Sequence, residues 1–411
     1  MSTLPLPSPL AAQWALSRDI VYLNHGSFGA CPRSILNDQF ELRAKLEANP
    51  MKFLVRDYPP LLDAAREEVA RLLGAAPDDI VFTRNATVGV NVVAQSLPLL
   101  PGDEILTTNH DYNACRCTLE EVARRREARV VVAEVPFPLI SEEQIVQPIL
   151  AAITPRTRLA MIDHITSPTA LVFPIERIVR ELQSRGVDVL VDGAHAAGMV
   201  PLDLSGLGAA YYTGNLHKWT CAPKGAAYLF VREDRRENIR PLTVSHGENT
   251  HRPGRSAFHD RFDWPGTLDP TPWLCAGSAS RWCASLLPGG LAELMAKNHQ
   301  LAVEARRLLC DALGVKVPCP DSMLGAMATI PLPPVLQSGP PPTADLRRFQ
   351  GWLSADRLQA WLAGEHRIEV PIVRWGKDGH RWLRISAQAY NSREQFEHLA
   401  EVLQTVVKGQ K

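Results

Sequence analysis

Residues 187–195 read VDVLVDGAH, a strand-like apolar run that ends on an aspartate and a glycine. Such a run, followed directly by Asp192, is typical of a buried strand whose carboxyl end reaches a ligand-binding crevice. The stretch belongs to a long alternation of strand-like and helix-like segments, which begins near residue 79 and stops at Pro272. Alternation at this spacing predicts an α/β fold in which helices cover both faces of a mainly parallel sheet.

The alternation can be written out segment by segment. Strand-like segments are residues 80–84, 104–108, 130–135, 158–165, 187–191 and 226–231, with another around Tyr211. Helix-like segments are residues 87–97, 113–126, 142–153 and 176–185. Beyond Pro272 the pattern predicts helices at 272–287, 290–313, near 355–363 and at 391–407, strands at 327–333 and 381–387, and a proline-rich loop at 333–342.

The change of pattern also predicts how the chain is divided. We expect residues 25–270 to form a large α/β domain, and residues 271–411 to form connecting helices and a small α+β domain. Residues 1–24 are expected to pack with the small domain. No GxGxxG motif follows a strand, so a Rossmann dinucleotide site is not supported.

Composition and charge narrow the kinds of ligand. The 411 residues carry 44 basic and 44 acidic side chains, a balance that leaves no electrostatic footprint for nucleic acid or an anionic membrane. The amino terminus reads as neither a signal peptide nor a membrane span. The eight cysteines form no CxxC pair, which favours free thiols in a reducing cytoplasm. We therefore expect a cytoplasmic protein with a small-molecule ligand.

Residues 213–225 read TGNLHKWTCAPKG and place Lys218 beside a histidine. Lysine is rare in this chain, with nine against 35 arginines, so Lys218 is a candidate for the chemistry of its amine. Asp192 lies 26 residues earlier at another expected strand end, where taken alone it reads as a helix N-cap. Together the two groups suit pyridoxal phosphate. The lysine forms a Schiff base with the cofactor aldehyde, and the carboxylate keeps the ring nitrogen protonated.

The phosphate of such a cofactor needs donors of its own. Residues 80–87 read IVFTRNAT, a strand that runs into an expected helix. The first backbone N–H groups of that helix and the Thr87 hydroxyl can bind a dianion. Ordinary helix capping by Asn85 or Thr87 explains the same residues, and the stretch by itself favours capping.

The motifs VDGAH, TGNLHKW and APKG, with NAT upstream, resemble the class V aminotransferase group of fold-type-I pyridoxal phosphate enzymes. YLNHGSFGACP and ANPMKFLVRDYPPLLDAAREEVARLLGA are similar to the isopenicillin N epimerase branch, which also includes ergothioneine-pathway C–S lyases. NHDYNACR, DHITSPTA, PGTLDPT and LRISAQAYN extend the resemblance over nearly the whole chain. The resemblance implies the fold-type-I architecture, pyridoxal 5′-phosphate as cofactor, an amino-acid substrate, and a homodimer with shared active sites.

The resemblance also implies roles for individual residues. Catalysis would fall to Lys218, Asp192 and Tyr112. Cofactor contacts would come from Ala86, Thr87, Tyr112, Ser167, Asp192, His195, Asn215, His217, Lys218 and Thr267, the last reaching the phosphate of the neighbouring subunit. Substrate contacts would come from Arg384, Arg56, Asn24 and His25. The guanidinium of Arg384 would clamp the substrate α-carboxylate through two parallel hydrogen bonds.

Three of these positions have a structural interpretation beside the functional one. Tyr112 fits a core-packed tyrosine at a helix start as well as a ring stacked on the cofactor. His195 also fits a histidine bonded to local backbone. Arg384 also fits a surface arginine on a strand, although its apolar neighbours in sequence argue against exposure.

The motifs prepare a Cα carbanion, which epimerisation, elimination at Cβ and transamination share, and they do not select among the three. Epimerisation is expected first, C–S β-lyase activity second and transamination third. Epimerisation needs an acid–base group on the face opposite Lys218. The options are Tyr112, His25 of the partner subunit and Tyr58 of the partner subunit. A persulfide-forming cysteine desulfurase is not expected, because residues 333–348, PPVLQSGPPPTADLRR, hold no cysteine.

Two interpretations lie outside this family. Asp192, His195 and His217 could serve a metal hydrolase, but no HExxH spacing or carboxylate cluster accompanies them. A degenerate relative that only binds ligands would usually have lost Lys218 or Asp192, and both are present.

Overall fold

The computed structural model describes residues 4–337 and 356–408. Its strands are β1 (Val21–Tyr22), β2 (Ile80–Thr83), β3 (Glu104–Thr108), β4 (Arg129–Ala133), β5 (Thr157–Asp163), β6 (Asp188–Asp192), β7 (Tyr211–Asn215), β8 (Ala227–Val231), β9 (Met327–Pro331), β10 (Ile368–Glu369), β11 (Ile372–Trp375) and β12 (His380–Ser386).

Its helices are α1 (His25–Phe28), α2 (Arg33–Ala48), α3 (Pro50–Lys52), α4 (Tyr58–Leu73), α5 (Ala86–Ser96), α6 (Asn113–Arg125), α7 (Glu143–Ala151), α8 (Ile175–Gln183), α9 (Leu204–Leu207), α10 (Ala257–Asp263), α11 (Thr271–Leu274), α12 (Ala276–Ser285), α13 (Gly290–Leu313), α14 (Pro334–Gln337), α15 (Arg357–Glu365) and α16 (Arg393–Lys408). Short 3₁₀ helices lie at Pro9–Gln13, Pro77–Asp79, Glu233–Asn238, His246–Glu248 and Asp321–Met323, and a π-helical turn lies at Phe53–Asp57. Each of these helices is too short or too polar to cross a lipid bilayer.

The central sheet has seven strands in the order β2-β8-β7-β6-β5-β3-β4. Strands β4, β3, β5, β6 and β7 run parallel, whereas β8 is antiparallel to β7 and β2 is antiparallel to β8. The predicted α/β fold with a mainly parallel sheet is confirmed. Because β8 returns directly from β7, the loop between them lies at the carboxyl edge of the parallel strands, and this loop carries Lys218.

Side chains of the central sheet alternate between two apolar cores, as a sheet covered on both faces requires. In β6, Leu190 joins the core formed with α5 and α6, whereas Val189 and Val191 join the core on the opposite face. Burial of these apolar side chains fixes the interior of each strand. The ends of the strands do not have to be buried in an apolar core, so polar residues can occupy them.

Two smaller sheets lie outside the central one. Strands β11, β12 and β9 form an antiparallel sheet in that order. Strand β1 pairs in parallel with β10, with Val21 opposite Ile368, which joins the amino-terminal segment by backbone hydrogen bonds to the carboxyl-terminal part of the chain. We keep residues 1–24, 25–270 and 271–411 as the proposed units of the chain.

The predicted elements differ from the observed ones in two places besides small shifts of their ends, and several observed elements were not predicted, among them α2, α4, α10 and β11. The helix predicted at 272–287 is two helices, α11 and α12, that meet at Cys275. Helix α14 forms inside the loop predicted at 333–342, because proline fits the first turn of a helix, where no N–H donor is needed. Residues 338–342 of that loop, and residue 355 of the predicted helix, lie outside the described residues.

Candidate active site

Three strands of the central sheet end on polar residues at the same edge. Asp163 is the last residue of β5, Asp192 the last of β6 and Asn215 the last of β7. Asp163 is the register partner of Asp192, which is the partner of Thr213. Ligands of parallel sheets bind at this edge, and here the fold supplies it with two carboxyls and an amide.

A cavity of about 400 Å³ opens at this edge. It is lined by nine of the predicted site residues: Ala86, Thr87, Tyr112, Ser167, Asp192, His195, Asn215, His217 and Lys218. Asp163, Lys224, Ser27 and Phe28 line it too, and the sequence had not marked them as site residues. The structure therefore gathers most of the predicted cofactor site, and adds a second carboxyl and a second amine to it.

Lys218 projects into this cavity from the loop that joins β7 to β8. Its Nζ lies 3.3 Å from Nε2 of His195. Burial, followed by the positive charge of Arg384, lowers the pKa of Lys218 to about 8, and the negative charge of Asp192 opposes that shift. A larger fraction of this amine is unprotonated near neutral pH than of an exposed lysine, so Lys218 is the better nucleophile and base.

The carboxylate of Asp192 has two hydrogen-bond donors. The N–H of Ala194 donates to Oδ1 at 2.9 Å, and Sγ of Cys115 donates to Oδ2 at 3.2 Å. Burial raises the pKa of Asp192, whereas both hydrogen bonds and the nearby Lys218 act to lower it. Donors of this kind favour the charged form, so Asp192 is suited to hold a protonated ring nitrogen.

Asp163 is a second buried carboxyl in the wall of the same cavity. Its Oδ1 has no hydrogen-bond partner in the described parts of the chain. Burial, and next the charge of Asp192, raise the pKa of Asp163 well above its usual range. Adjacent buried carboxyls do not both ionise, so Asp163 is held as the acid while Asp192 keeps the charge. The sequence signal was present, because TRLAMID at residues 157–163 ends on aspartate just as VDVLVD does.

The imidazole of His195 is buried between two side chains. Nε1–H of Trp219 donates to Nδ1 of His195 at 3.5 Å. Since an indole only donates, Nδ1 is the acceptor and Nε2 carries the proton of the neutral ring. Burial, followed by the charge of Lys218, lowers the pKa of His195 well below its usual range. His195 is thus a neutral N–H donor beside Lys218, and its ring bonds to side chains rather than to local backbone.

Helix α5 begins beside the cavity, and part of its first turn is already satisfied. Oδ1 of Asn85 accepts the N–H of Val88 at 2.9 Å, so the capping interpretation is correct for Asn85. Oδ1 of Asn215 accepts the N–H of Ala86 at 2.8 Å. Within the described chain, the N–H and hydroxyl of Thr87 have no partner and remain available to an anion.

The ring of His217 lines the same end of the cavity. Its Nδ1–H donates to the carbonyl oxygen of Ala226 at 3.0 Å, which leaves Nε2 with a lone pair. Burial, followed by the charge of Lys218, lowers the pKa of His217 to about 4. A bound anion would raise that pKa again, so His217 can meet a phosphate by taking up a proton.

Arg384, on β12, is a buried guanidinium held by neutral groups. Its Nη1 donates to O and Oγ of Ser167 at 2.8 and 3.0 Å, and its Nη2 donates to Oγ of Ser27 at 2.9 Å. Ser27 in turn donates to Oδ1 of Asn24 at 2.5 Å. Nε has no partner, and no carboxylate in the described residues forms an ion pair with Arg384. The surface-arginine interpretation is wrong, and a buried cation without a counterion is prepared for an anionic ligand.

His25 and Tyr58 are both occupied within the chain. The Tyr390 hydroxyl donates to Nδ1 of His25 at 3.0 Å, and Nε2–H of His25 donates to the carbonyl oxygen of Lys218 at 2.9 Å. The buried Tyr58 hydroxyl donates to the carbonyl oxygen of Asp263 at 2.9 Å. These bonds position Lys218 and its surroundings, and they leave neither side chain free to exchange protons with a substrate.

Tyr112, Arg56 and Thr267 are more exposed than the rest. Tyr112 lies at the rim of the cavity with 45% of its surface exposed, so it is not the core-packed tyrosine of the alternative interpretation. Arg56 and Thr267 are exposed and lie outside the cavity. The structure of one chain therefore does not bring these last two residues to the other predicted site residues.

The described residues offer little support for a metal site or a cysteine nucleophile in this cavity. Histidine, cysteine, aspartate and glutamate side chains in residues 4–337 and 356–408 do not form a group of three or more that could hold a metal ion. The described residues that line the cavity include no cysteine. Cys115 lies behind Asp192, and burial followed by that carboxylate raises the pKa of its thiol well above the usual range. The metal-hydrolase interpretation gains no support from this arrangement.

Known proteins resemble this chain over nearly its whole length. A family model described as "Aminotransferase class-V" matches residues 47–399. The chain is 36% identical to the isopenicillin N epimerase of Amycolatopsis lactamdurans, over 97% of this chain and 100% of that protein. It is 30% identical to a probable chloroplastic L-cysteine desulfhydrase of Arabidopsis thaliana, over 95% of this chain and 83% of that protein. An apo cysteine desulfurase of Thermococcus onnurineus NA1 has the same fold, with a TM-score of 0.78 at 20% identity over 100% of both chains.

Proposed function

The chain belongs to the aminotransferase class-V family, and on that premise we propose that it is an epimerase or racemase acting at Cα of an amino acid or amino-acid-containing substrate. The observation that carries the amino-acid part is the buried Arg384, which has no counterion among the described residues and lies close enough to lower the pKa of Lys218. The full-length similarity to an isopenicillin N epimerase favours epimerisation. Nothing in the cavity points to a β-lactam.

The cofactor is pyridoxal 5′-phosphate, and the donors of the cavity fit it. When bound, it supplies an aldehyde for amines and a protonated ring that withdraws electrons from the substrate Cα. Lys218 would hold the cofactor covalently, Asp192 would bind its ring nitrogen and His195 its phenolic oxygen, with Ser167 nearby. Thr87, Asn215 and His217 would hold the phosphate, together with Ala86, if its N–H leaves Asn215 for the anion.

Lys218 and Arg384 then divide the work on the substrate. Arg384 binds the α-carboxylate and fixes the orientation of Cα, because its guanidinium is itself held by two serines. Because its pKa is about 8, a substantial fraction of Lys218 is unprotonated near neutral pH, and this fraction would take the proton from Cα. The neutral N–H of His195 and the carboxyl of Asp192 keep the reacting region polar.

Inversion needs a second proton donor on the opposite face, and we assign it to Tyr112. Tyr112 lies at the rim of the cavity, and burial is the largest cause that raises the pKa of this phenol. Tyr112 therefore stays protonated at neutral pH and can return a proton to Cα. His25 and Tyr58 are less suited, because their polar atoms are used within the chain.

A C–S β-lyase is the second candidate, favoured by the L-cysteine desulfhydrase relative. Transamination is the third. We do not propose persulfide formation, since neither the described cavity lining nor residues 333–348 supply a cysteine, although residues 338–348 lie outside the described parts. The desulfurase neighbour carries no weight against this proposal because, at 20% identity, it shows the fold alone.

We also propose a homodimer in which each cavity is completed by its partner. Arg56 and Thr267 are exposed and do not line the cavity of their own chain, as is expected of residues that act in the neighbouring subunit. Phe28 lines the cavity with 58% of its surface exposed, which suits a side chain that a second subunit covers.

The deciding experiment follows Cα–H exchange in deuterated water with a panel of amino acids and cysteine conjugates. Exchange with inversion and without keto acid supports the epimerase. Release of pyruvate or another keto acid from a conjugate supports the lyase instead.

Borohydride reduction with bound cofactor tests the lysine itself. We expect the label on Lys218 in the wild-type protein and in a Lys224→Arg control, which retains a cation at the second amine of the cavity. A label on Lys224 would contradict the assignment.

A further inference from the structure

A second cavity, of about 750 Å³, lies beside the first, and Tyr112 and Ser167 line both. Ser167 is also the residue that accepts two hydrogen bonds from Arg384. A substrate whose α-carboxylate rests on Arg384 therefore reacts next to the opening of this second cavity. The two cavities share Tyr112 and Ser167 in their walls, so the second borders the first beside the hydrogen-bond partner of Arg384.

One part of the second cavity is apolar and rigid. Pro168, Ile372 and Trp375 line it. The indole of Trp375 is held by the ring of His110 at 4.6 Å and by that of Phe137 at 5.6 Å, centroid to centroid. A fixed apolar surface of this kind favours a hydrocarbon stem over a short polar side chain.

The charged residues that line the cavity are unequally paired. Arg116 binds Asp111 at 2.7 Å, and Lys377 lies 3.9 Å from Glu134. Arg374, on β11, is exposed and has neither an ion pair nor a hydrogen bond from its side chain within residues 4–337 and 356–408. The one unpaired charge at this described surface is thus positive, and a guanidinium recognises carboxylates well.

From this arrangement we propose that the substrate is an elongated amino acid with an anionic group at the far end of its side chain, and that Arg374 binds that group. The proposal rests on the proposed function, because it takes Cα to lie between Lys218 and Arg384. It makes the second cavity the place where substrates are selected, separate from the residues that move protons.

The test uses the cofactor-loaded enzyme and measures dissociation constants from the change in its visible spectrum. The ligands are α-amino dicarboxylic acids of increasing length, the matching ω-amides, and alanine. We expect the best diacid to bind about two- to fivefold more tightly than its amide, the size expected of one exposed ion pair with good geometry. Arg374→Gln should abolish that preference and leave alanine unchanged. Lys377→Gln, the matched control, removes a cation that is already paired and should retain the preference.

The outcomes separate this proposal from the proposed function. Equal affinity of the wild-type protein for diacid and amide, or an unaltered preference in Arg374→Gln, overturns the role of Arg374 alone, provided that alanine still changes the spectrum. Failure of every amino acid to change the spectrum overturns both.

Discussion

Asp163 and Asp192 are register partners at the ends of β5 and β6, and their two buried carboxyls line one cavity. Among the described residues only Asp192 of the two has hydrogen-bond donors, Ala194 and Cys115, so we assign the charge to Asp192 and the proton to Asp163. We predict that Asp163→Asn, which replaces a neutral acid by a neutral amide, keeps the affinity for pyridoxal phosphate within about threefold. Asp192→Asn should weaken it at least about tenfold, because it removes a buried charge–charge contact with the ring nitrogen. Titration of the apoproteins with cofactor measures both, and equal losses would contradict the assignment.

The same pair predicts a change in stability with pH. A carboxyl whose folded pKa is raised binds more protons in the folded state above its unfolded pKa, so its contribution to stability falls as pH rises from about 4. Asp163→Asn removes that penalty. The variant apoprotein should therefore unfold at a higher temperature than the wild type at pH 7, with the difference shrinking toward pH 4. A difference that grows toward pH 4 would refute the protonated Asp163.

Lys218 predicts the pH dependence of cofactor capture. Its folded pKa of about 8 lies below the model-peptide value, and only the unprotonated amine attacks an aldehyde. The rate at which the apoprotein captures pyridoxal phosphate should rise to a plateau with a midpoint near pH 8. Lys224→Arg should give the same profile. A rate that keeps rising toward pH 10, as for an exposed lysine, would show that the amine is not buried as described.

Arg384 predicts which ligands the site distinguishes. Arg384→Gln should weaken the binding of an amino acid about 100-fold, or ~3 kcal/mol, because it removes charged hydrogen bonds to the carboxylate. The amine of the same shape without a carboxylate should bind equally to both proteins. Arg384→Lys keeps the charge but loses the parallel donors, so we expect an intermediate loss. Spectral titration of the loaded enzymes measures all three, and a matching loss for the amine would point to a structural defect.

Arg56 predicts complementation between subunits. Neither the Arg56→Ala homodimer nor the Lys218→Ala homodimer should be fully active. If Arg56 acts across the interface, a hybrid of one Arg56→Ala subunit and one Lys218→Ala subunit contains one cavity in which both residues are native. Mixed and reassembled subunits should then recover part of the wild-type activity. Mass spectrometry can show that the hybrids have formed. If such hybrids recover no activity, Arg56 acts in the site of its own subunit or has no part in the mechanism.

Site residues that a local sequence pattern marks could be predicted, whereas residues that act through tertiary contacts could not. Asp192 could be found because an apolar run that ends on a charged residue is visible in the chain itself, and Lys218 because lysine is rare in this sequence. Asp163 also ends an apolar run, but only the register of β5 and β6 shows that it lies beside Asp192. Cys115 and Ser27 act through contacts with residues far away in sequence, and no local pattern announces those.

The capping question illustrates why some interpretations stayed open. Asn85 does cap α5, yet the same turn borders the cavity, so capping and ligand binding coexist in IVFTRNAT. The role of His25 was also undecidable beforehand, because its bonds to Tyr390 and to the backbone of Lys218 join parts of the chain that only the folded state brings together.

The pairing of β1 with β10 has a consequence for biosynthesis. Val21 and Tyr22 are translated early, but their partner strand emerges only after Ile368 has been added, roughly 20–70 s later at ordinary rates of elongation. Asn24 and Ser27 follow β1 in the chain and support Arg384. During synthesis these two residues therefore lack their binding partners until the carboxyl-terminal part has been added. All seven strands of the central sheet are synthesised long before β10, so the support of Arg384 is among the last parts of the structure that can form.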